Sequence, residues 1–341
     1  MSVVFLHSRF GDIANGNTDM DSMVKLIYNL CYIFASVAVP LFFITSGFLF
    51  FKEYEHKIQF YFEKIKTRFK TLMIPYLFWN VSLLLLTLFL QSIPALKSFI
   101  NKPIIDYSFF NIINLIFSIN SLTPISYQFW YIKDLMIMVV LSPVIFFGIR
   151  HIPYIGLLIV FLPWFFGLEP GIIHVRYSAL LFFYSGALLS VSFKYQLNRI
   201  DNHRGKIIFS YTLMALIEAL LRTSGYSLYN HQIHQAIIIL GIPAFWGATG
   251  IFLNSPANKI LLNVARFSFF VFATHEPIMT IFRKIFYLFM PPRNSLQELA
   301  YYISLPGLTV VVTVLTAILL NKLSPKFFGI ITGQRLSHRI Y

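Results

Sequence analysis

Nine apolar stretches, most near the roughly 20 residues that a bilayer-crossing helix needs, dominate the chain. They are residues 24–51, 71–91, 129–149, 152–168, 172–193, 207–224, 235–253, 267–290 and 302–323. Hydrophobic residues make up 57% of the 341 and charged residues 12%, about half the ~25% of a soluble protein. This excludes a disordered chain, a fibrous protein and an ordinary soluble enzyme. Backbone polar groups in lipid must be satisfied within a segment. The expected fold is therefore an all-α, polytopic membrane helical bundle of nine full transmembrane helices. Residues 107–119 (YSFFNIINLIFSI) are apolar but short and suit an interfacial or re-entrant helix. No internal repeat or soluble insert is visible, so a single membrane domain over 1–341 is expected.

The charges sort by side. Segments 52–70, 150–151, 194–206, 254–266 and the tail from 322 carry 17 Lys/Arg against four acids, Glu53, Glu55, Glu63 and Asp201. The opposite segments carry five Lys/Arg against six acids. The positive-inside rule makes the first set cytoplasmic, with residues 324–341 a cytoplasmic basic tail and residues 1–23 outside. The net charge of +14 is thus a topology signal and no nucleic-acid footprint. Residues 1–7 (MSVVFLH) would make only about 10 Å of helix. They are expected to be the outer end, the remnant, of a first span that begins upstream. The single cysteine, Cys31, excludes an intramolecular disulfide or a thiolate metal site.

Ionisable groups within spans are costly and mark functional candidates. Glu218 and Arg222 are four apart and can pair on one helix face. Lys133 and Asp134 are adjacent and should need separate partners on other helices, as polar glue or as substrate contacts. Arg176 lies near a span end, where it could snorkel outward or meet a substrate. His275 and Glu276 lie roughly 12–14 Å into their span. Pro277 frees a carbonyl one turn earlier, which suits a polar cavity at that depth, and Arg283 follows two turns on near the same face. His7 stands at the outer boundary, where a general base could reach an acceptor. His231 and His234 are three apart but lack a third ligand in the sequence, and no metal is expected. The VAVPLFFITSGFLFF stretch mixes small and hydroxylated residues that allow close helix approach. Six basic residues between Lys52 and Lys70 precede Pro75; such a cluster serves as a topology anchor or binds headgroups or a phosphorylated cofactor.

Taken in order, VVFLHS, VPLFFITSGFLF, KTRFKTLMIPYLFWN, FWYIKDLMIMVVLSPVI, LLFFYSGALL and SFFVFATHEPI resemble the acyltransferase-3 family of bacterial membrane acyltransferases over nearly the whole chain. The resemblance implies about ten spans in the bacterial inner membrane and transfer of an acyl group, commonly acetyl from acetyl-CoA. The acceptor it implies is a hydroxyl of a surface polysaccharide, lipopolysaccharide or lipid-linked glycan. It assigns the catalytic base to His7 and a second catalytic histidine to His275, with Phe272 where the family usually has tyrosine. The family's basic motif falls on Arg68. Its second arginine falls on Thr71, leaving Lys66 and Lys70 as accompanying charges. Arg176 is expected with these on the acyl-CoA side, and Ser46, Trp130, Asp134 and Glu276 as substrate or structural polar positions. The implied partners are acyl-CoA, the glycan acceptor and membrane lipids. The rival readings are a polysaccharide exporter or flippase of the same family and an inactive remnant.

Overall fold

The computed structural model describes residues 2–8, 21–52, 58–94, 104–168, 175–192, 198–225, 230–256 and 258–333. Every long element among them is an α-helix. In chain order these are α1 (Ser2–Leu6), α2 (Ser22–Ser36), α3 (Ala38–Phe51), α4 (Ile58–Arg68), α5 (Ile74–Ser92), α6 (Phe109–Phe117), α7 (Trp130–Val140) and α8 (Ser142–His151). There follow α9 (Pro153–Phe165), α10 (Tyr177–Ser192), α11 (Asn198–Thr223), α12 (Asn230–Leu253), α13 (Asn258–Ala265), α14 (Ser268–Phe289), α15 (Ser295–Leu323) and α16 (Pro325–Ile331).

Four helices among the described residues are long and apolar enough to cross a membrane: Ser22–Phe51, Tyr61–Ser92, His231–Leu253 and Ser295–Leu323. Large apolar side chains cover much of the surface; Phe89, Val144, Phe209 and Leu315 are all at least 60% exposed. Exposed apolar area on that scale needs lipid around it. Residues 109–117 form the short helix expected there, with Phe109 and Phe110 pointing away from the protein.

Prolines set where the helices bend. The stretch 129–149, expected as one straight span, is two helices that meet at 62°. Pro143 has no N–H for the Val139 carbonyl, and the Ser142 hydroxyl donates to that oxygen instead at 2.7 Å. Ahead of Pro75, the Thr71 carbonyl loses its donor in the same way, and Phe69–Met73 widens into a π-helical turn. Residues 152–168 and 172–193, also expected as full spans, are the shorter helices Pro153–Phe165 and Tyr177–Ser192.

The core is built on α3 against α10. Phe43, Phe50 and Phe51 pack with Phe182, Phe183 and Ala187. Gly47 faces the Phe183 carbonyl and Gly186 faces the Ile44 carbonyl so closely that neither site has room for a Cβ. Gly47 lies in the stretch that the sequence marked for close approach; Gly186, its counterpart on α10, was not marked. The short α1 is inserted into the bundle, with Val4 buried among Val271, Met279 and Val310. The segment expected as a basic tail begins instead as α16. Its FFGII sequence turns back on the bundle, and Phe328 packs against Phe267 and Phe270. Arg335 and Arg339, like Arg9, lie outside the described residues.

Candidate active site

The two histidines singled out by sequence meet in the interior. His7 follows α1, whose last turn is closed by its own N–H to the Val4 carbonyl at 3.2 Å and by the Ser8 hydroxyl to Phe5 O at 2.8 Å. His275 comes from the middle of α14 and is fully buried. Their ring centroids are 5.5 Å apart. His275 Nδ1 lies 2.7 Å from Phe272 O and 3.2 Å from Val271 O. Carbonyls only accept, so Nδ1 carries the proton. Nε2 is then a bare acceptor, buried and with no hydrogen-bond partner among the described residues.

A third ring completes the group. The Tyr127 hydroxyl is 2.9 Å from His7 Nδ1, and the rings meet edge to face at 5.0 Å. Tyr127 lies in a single 3-10 turn, Tyr127–Phe129, just before α7. Its neighbours hold it on both sides. Ser126 N–H donates to Asn80 Oδ1 at 3.1 Å. Gln128 Nε2 donates to the Ala273 carbonyl, also at 3.1 Å. Ala273 is the residue whose carbonyl Pro277 leaves free; in place of the polar cavity expected at that depth, the Gln128 amide satisfies it, and the cavity that His275 lines is apolar. Glu276, beside His275, pairs with Arg283 at 2.8 Å and accepts the Thr280 hydroxyl at 3.1 Å.

Two cavities of different lining flank this group. The more polar, of about 890 Å³, mixes Tyr107, Asn111, Asn114, Tyr127, Thr280 and Lys284 with apolar walls from Leu83, Ile104, Leu115 and Ile125. The other, of about 330 Å³, is lined by Val3, Val264, Val271, Phe272, His275 and Val310. Tyr127 is in the wall of the polar cavity and His275 in the wall of the apolar one, with His7 between them. The apolar cavity extends to Val264 and Ala265, where α13 ends, at the opposite end of α14 from Lys284.

The remaining candidates fall in two other places. Ser46 on α3 shares a 3.0 Å hydrogen bond with the Tyr131 hydroxyl. Tyr131 packs on Phe42, a wall of the apolar cavity. Arg68, at the end of α4, is half-buried. Lys66 and Lys70, in the same segment, are exposed. Arg176 is not brought to the apolar cavity. It stacks 4.0 Å over the Trp130 ring, pairs with Asp134 at 3.7 Å and donates to Leu122 O at 3.1 Å. With Trp130 it lines a third cavity of about 560 Å³, beside His231 and His234.

Lys133 and Asp134 were expected to need separate partners, yet they approach each other to 3.7 Å. The lysine stem is long enough to curl back along its own helix. Its ammonium also faces the carbonyls of Ser121 and Leu122. Glu218 and Arg222 pair as expected, at 2.7 Å. The fold adds His234, whose Nδ1 is 2.8 Å from Glu218 Oε1. Sequence showed no carboxylate near that histidine because Glu218 lies on the preceding helix.

Tyr127, Asn80 and Gln128 were missed. Asn80 ends the IPYLFWN block and could have been noticed as an amide inside an apolar span. Tyr127 is one of 19 tyrosines, and nothing local separates it from the rest.

Comparison with known proteins adds two findings. A family described as an acyltransferase domain matches residues 1–319. The chain is also 22% identical over 307 residues to the succinoglycan biosynthesis protein ExoH of Rhizobium meliloti (strain 1021), covering 88% of this chain and 79% of that protein. No solved structure matches it.

Proposed function

The chain belongs to the acyltransferase-3 family, and on that premise we propose that it is an O-acyltransferase of the bacterial inner membrane. It moves acetyl from acetyl-CoA to a hydroxyl of a cell-surface polysaccharide, lipopolysaccharide or lipid-linked glycan. The observation that supports this reading is the Tyr127–His7–His275 group, with the more polar cavity on its Tyr127 side and the apolar one on its His275 side. The name of the similar succinoglycan biosynthesis protein supports a glycan acceptor.

The charge asymmetry orients the site. With the basic segments and the C-terminus placed inside by their charge, the apolar cavity, at Val264, faces the cytoplasmic end of α14 and the more polar one, at Lys284, its outer end. A pantetheine arm, thin and largely apolar, suits the first. Lys66, Arg68 and Lys70 supply charge for the phosphates of CoA. Asn111, Asn114 and the tyrosines of the second cavity offer the amides and aromatic faces that sugar hydroxyls and ring C–H groups engage.

In the reaction the acceptor hydroxyl attacks the thioester carbonyl. His7 removes the hydroxyl proton, a C–O bond forms, and the C–S bond breaks. The proton passes to the leaving CoA sulfur, with the bare His275 Nε2 on the donor side as the acceptor between them. A general base typically contributes 10²–10⁴-fold.

The test compares the surface glycan of the parent strain, a deletion strain and a strain carrying His7→Ala, by mass spectrometry. Loss of one acetyl mass in both altered strains, with the variant still present in membranes, is expected. Loss of intact polymer from the surface would point to export, and unchanged glycan in the deletion strain would refute the reading.

A further inference from the structure

We propose that the third cavity binds a sugar unit bearing a carboxylate, held by Arg176, and that this unit belongs to the acceptor glycan, a role that rests on the acyl-transfer reading. The cavity is about 560 Å³, within the roughly 300–1,000 Å³ of small-ligand sites. Leu6, the residue before His7, forms part of its wall, so a ligand there lies beside the base. Arg176 immediately precedes α10, which runs towards the basic segment 194–206. Helix α11 starts in that segment and leads away from it to His231 and His234 at the start of α12. With the basic segment inside, all three side chains stand at the outer end of their helices, where a surface glycan arrives.

Arg176 has donors left to give. Its Nη1 is occupied, by Leu122 O at 3.1 Å and Asp134 Oδ2 at 3.7 Å. Its Nε and Nη2 make no hydrogen bond among the described residues. The Trp130 ring, 4.0 Å away, supports the guanidinium from one face. A planar fork held in this way matches a carboxylate, which accepts two parallel N–H bonds. The charge balance favours the same anion. Lys133, Arg176 and Arg222 are cations, and Asp134 and Glu218 are the carboxylates among them. With the histidines neutral, one positive charge is left over. A carboxylate cancels it, whereas a doubly charged phosphate would overshoot.

The rest of the wall suits a sugar ring. Tyr32, Trp130 and Trp164 line it, and aromatic walls with a few placed polar groups are the usual make-up of a ligand site. Tyr32 is stacked on His234 at 5.5 Å, and Glu218 anchors that histidine at 2.8 Å. Gln235, only 8% exposed, shares a 3.2 Å hydrogen bond with His231 Nε2 through its amide nitrogen. Its Oε1 has no partner among the described residues. Buried amide oxygens are seldom left so, and a hydroxyl of a sugar in the cavity that Gln235 lines would supply the donor.

Two measurements test this. Two of the four tryptophans line the cavity, so intrinsic fluorescence reports its occupancy. The full chain in lipid nanodiscs is titrated with D-glucuronate, with its methyl ester and with glucose 1-phosphate. A saturable change with glucuronate is expected, half complete at about 1–10 mM. The ester keeps the ring and loses the charge, and should bind at least about ten-fold more weakly. Arg176→Lys keeps a cation beside Asp134 and loses the fork, and should weaken glucuronate by about ten-fold. If that variant does not reach the membrane, the parent's preference for acid over ester carries the test. No saturable change, equal binding of acid and ester, or Arg176→Lys at parental affinity would overturn the proposal. Tighter binding of glucose 1-phosphate would overturn the carboxylate in favour of a phosphate. The second measurement is transfer from radiolabelled acetyl-CoA to the strain's own glycan in native membrane vesicles. Arg176→Lys should raise the half-saturating glycan concentration and leave that of acetyl-CoA unchanged; a shift in acetyl-CoA alone would overturn the acceptor role. Parent vesicles that transfer nothing would refute the acyl-transfer reading, and the titrations would still decide the site.

Discussion

The crossing of α3 and α10 gives a prediction whose size follows from the geometry. An alanine Cβ at Gly186 would stand 2.9 Å from Ile44 Cα, and closer still to the Ile44 carbonyl oxygen, where ordinary contacts run from 3.4 to 4 Å. A Cβ at Gly47 would stand 3.1 Å from Ala187 N and meet the Phe183 carbonyl. All of these obstacles are backbone atoms, so no side chain can swing away. The carbonyl oxygens are the nearest obstacles, so the helices must part by about 1 Å or more, and a gap of that size forfeits about half of each dispersion contact across it. Overpacking of this kind costs about 1–3 kcal/mol, which is the loss expected for Gly186→Ala or Gly47→Ala. The two glycines face each other's helices across one crossing, so a single separation relieves both clashes. The double variant should therefore fall short of the sum of the singles by about 0.5 kcal/mol or more. Reversible unfolding in bicelles measures all three. Single variants at parental stability, or a strictly additive double, would refute the idea that one backbone contact sets this crossing.

Other expectations follow from named contacts. Asp134→Asn removes the carboxylate between Lys133 and Arg176 (both 3.7 Å away) and should cost about 3–5 kcal/mol in the same unfolding assay. Adding Lys133→Leu should restore part of it. Gln128→Leu leaves the Ala273 carbonyl without its side-chain donor and should cost about 1–3 kcal/mol while lowering transfer, since Tyr127 is its neighbour. The two cavities should separate kinetically. Val271→Trp, which fills the apolar one, should raise the half-saturating acetyl-CoA concentration at least about ten-fold, by analogy with one lost contact of ~1.4 kcal/mol. Asn111→Ala, in the polar one, should weaken glycan use and leave acetyl-CoA saturation unchanged; vesicle rates at varied acetyl-CoA and glycan read both.

Much of this was written in the residue order. Spacing and hydropathy mark the helices because lipid admits few alternatives for the backbone, and the Pro277 and Gly47 signals led to a freed carbonyl and a close helix contact. His7 and His275 were nameable because each lies in a recognisable block, although 268 positions separate them and only folding shows them in one cluster. Pairings decided by reach were less legible. Lys133 meets Asp134 because its stem bends, and His234 finds Glu218 across an interhelical loop. The bend at Leu141 was missed because apolar periodicity runs straight through Pro143. The resemblance put Arg176 on the acyl-CoA side, and the fold places it against Trp130 and Asp134 at another cavity. Tyr127 lies in a turn between an irregular loop and a helix, where neither period nor charge marks a residue.

The central claim is that an acyl group crosses from an inward apolar cavity to an outward polar one at His7. Inverted membrane vesicles test it most directly, with radiolabelled acetyl-CoA added only to the exposed cytoplasmic face and the glycan acceptor confined to the lumen. The account predicts label on the lumenal glycan with the parent protein and none with His7→Ala at equal expression. Label that appears only when donor and acceptor share one side, or that His7→Ala transfers undiminished, would contradict it.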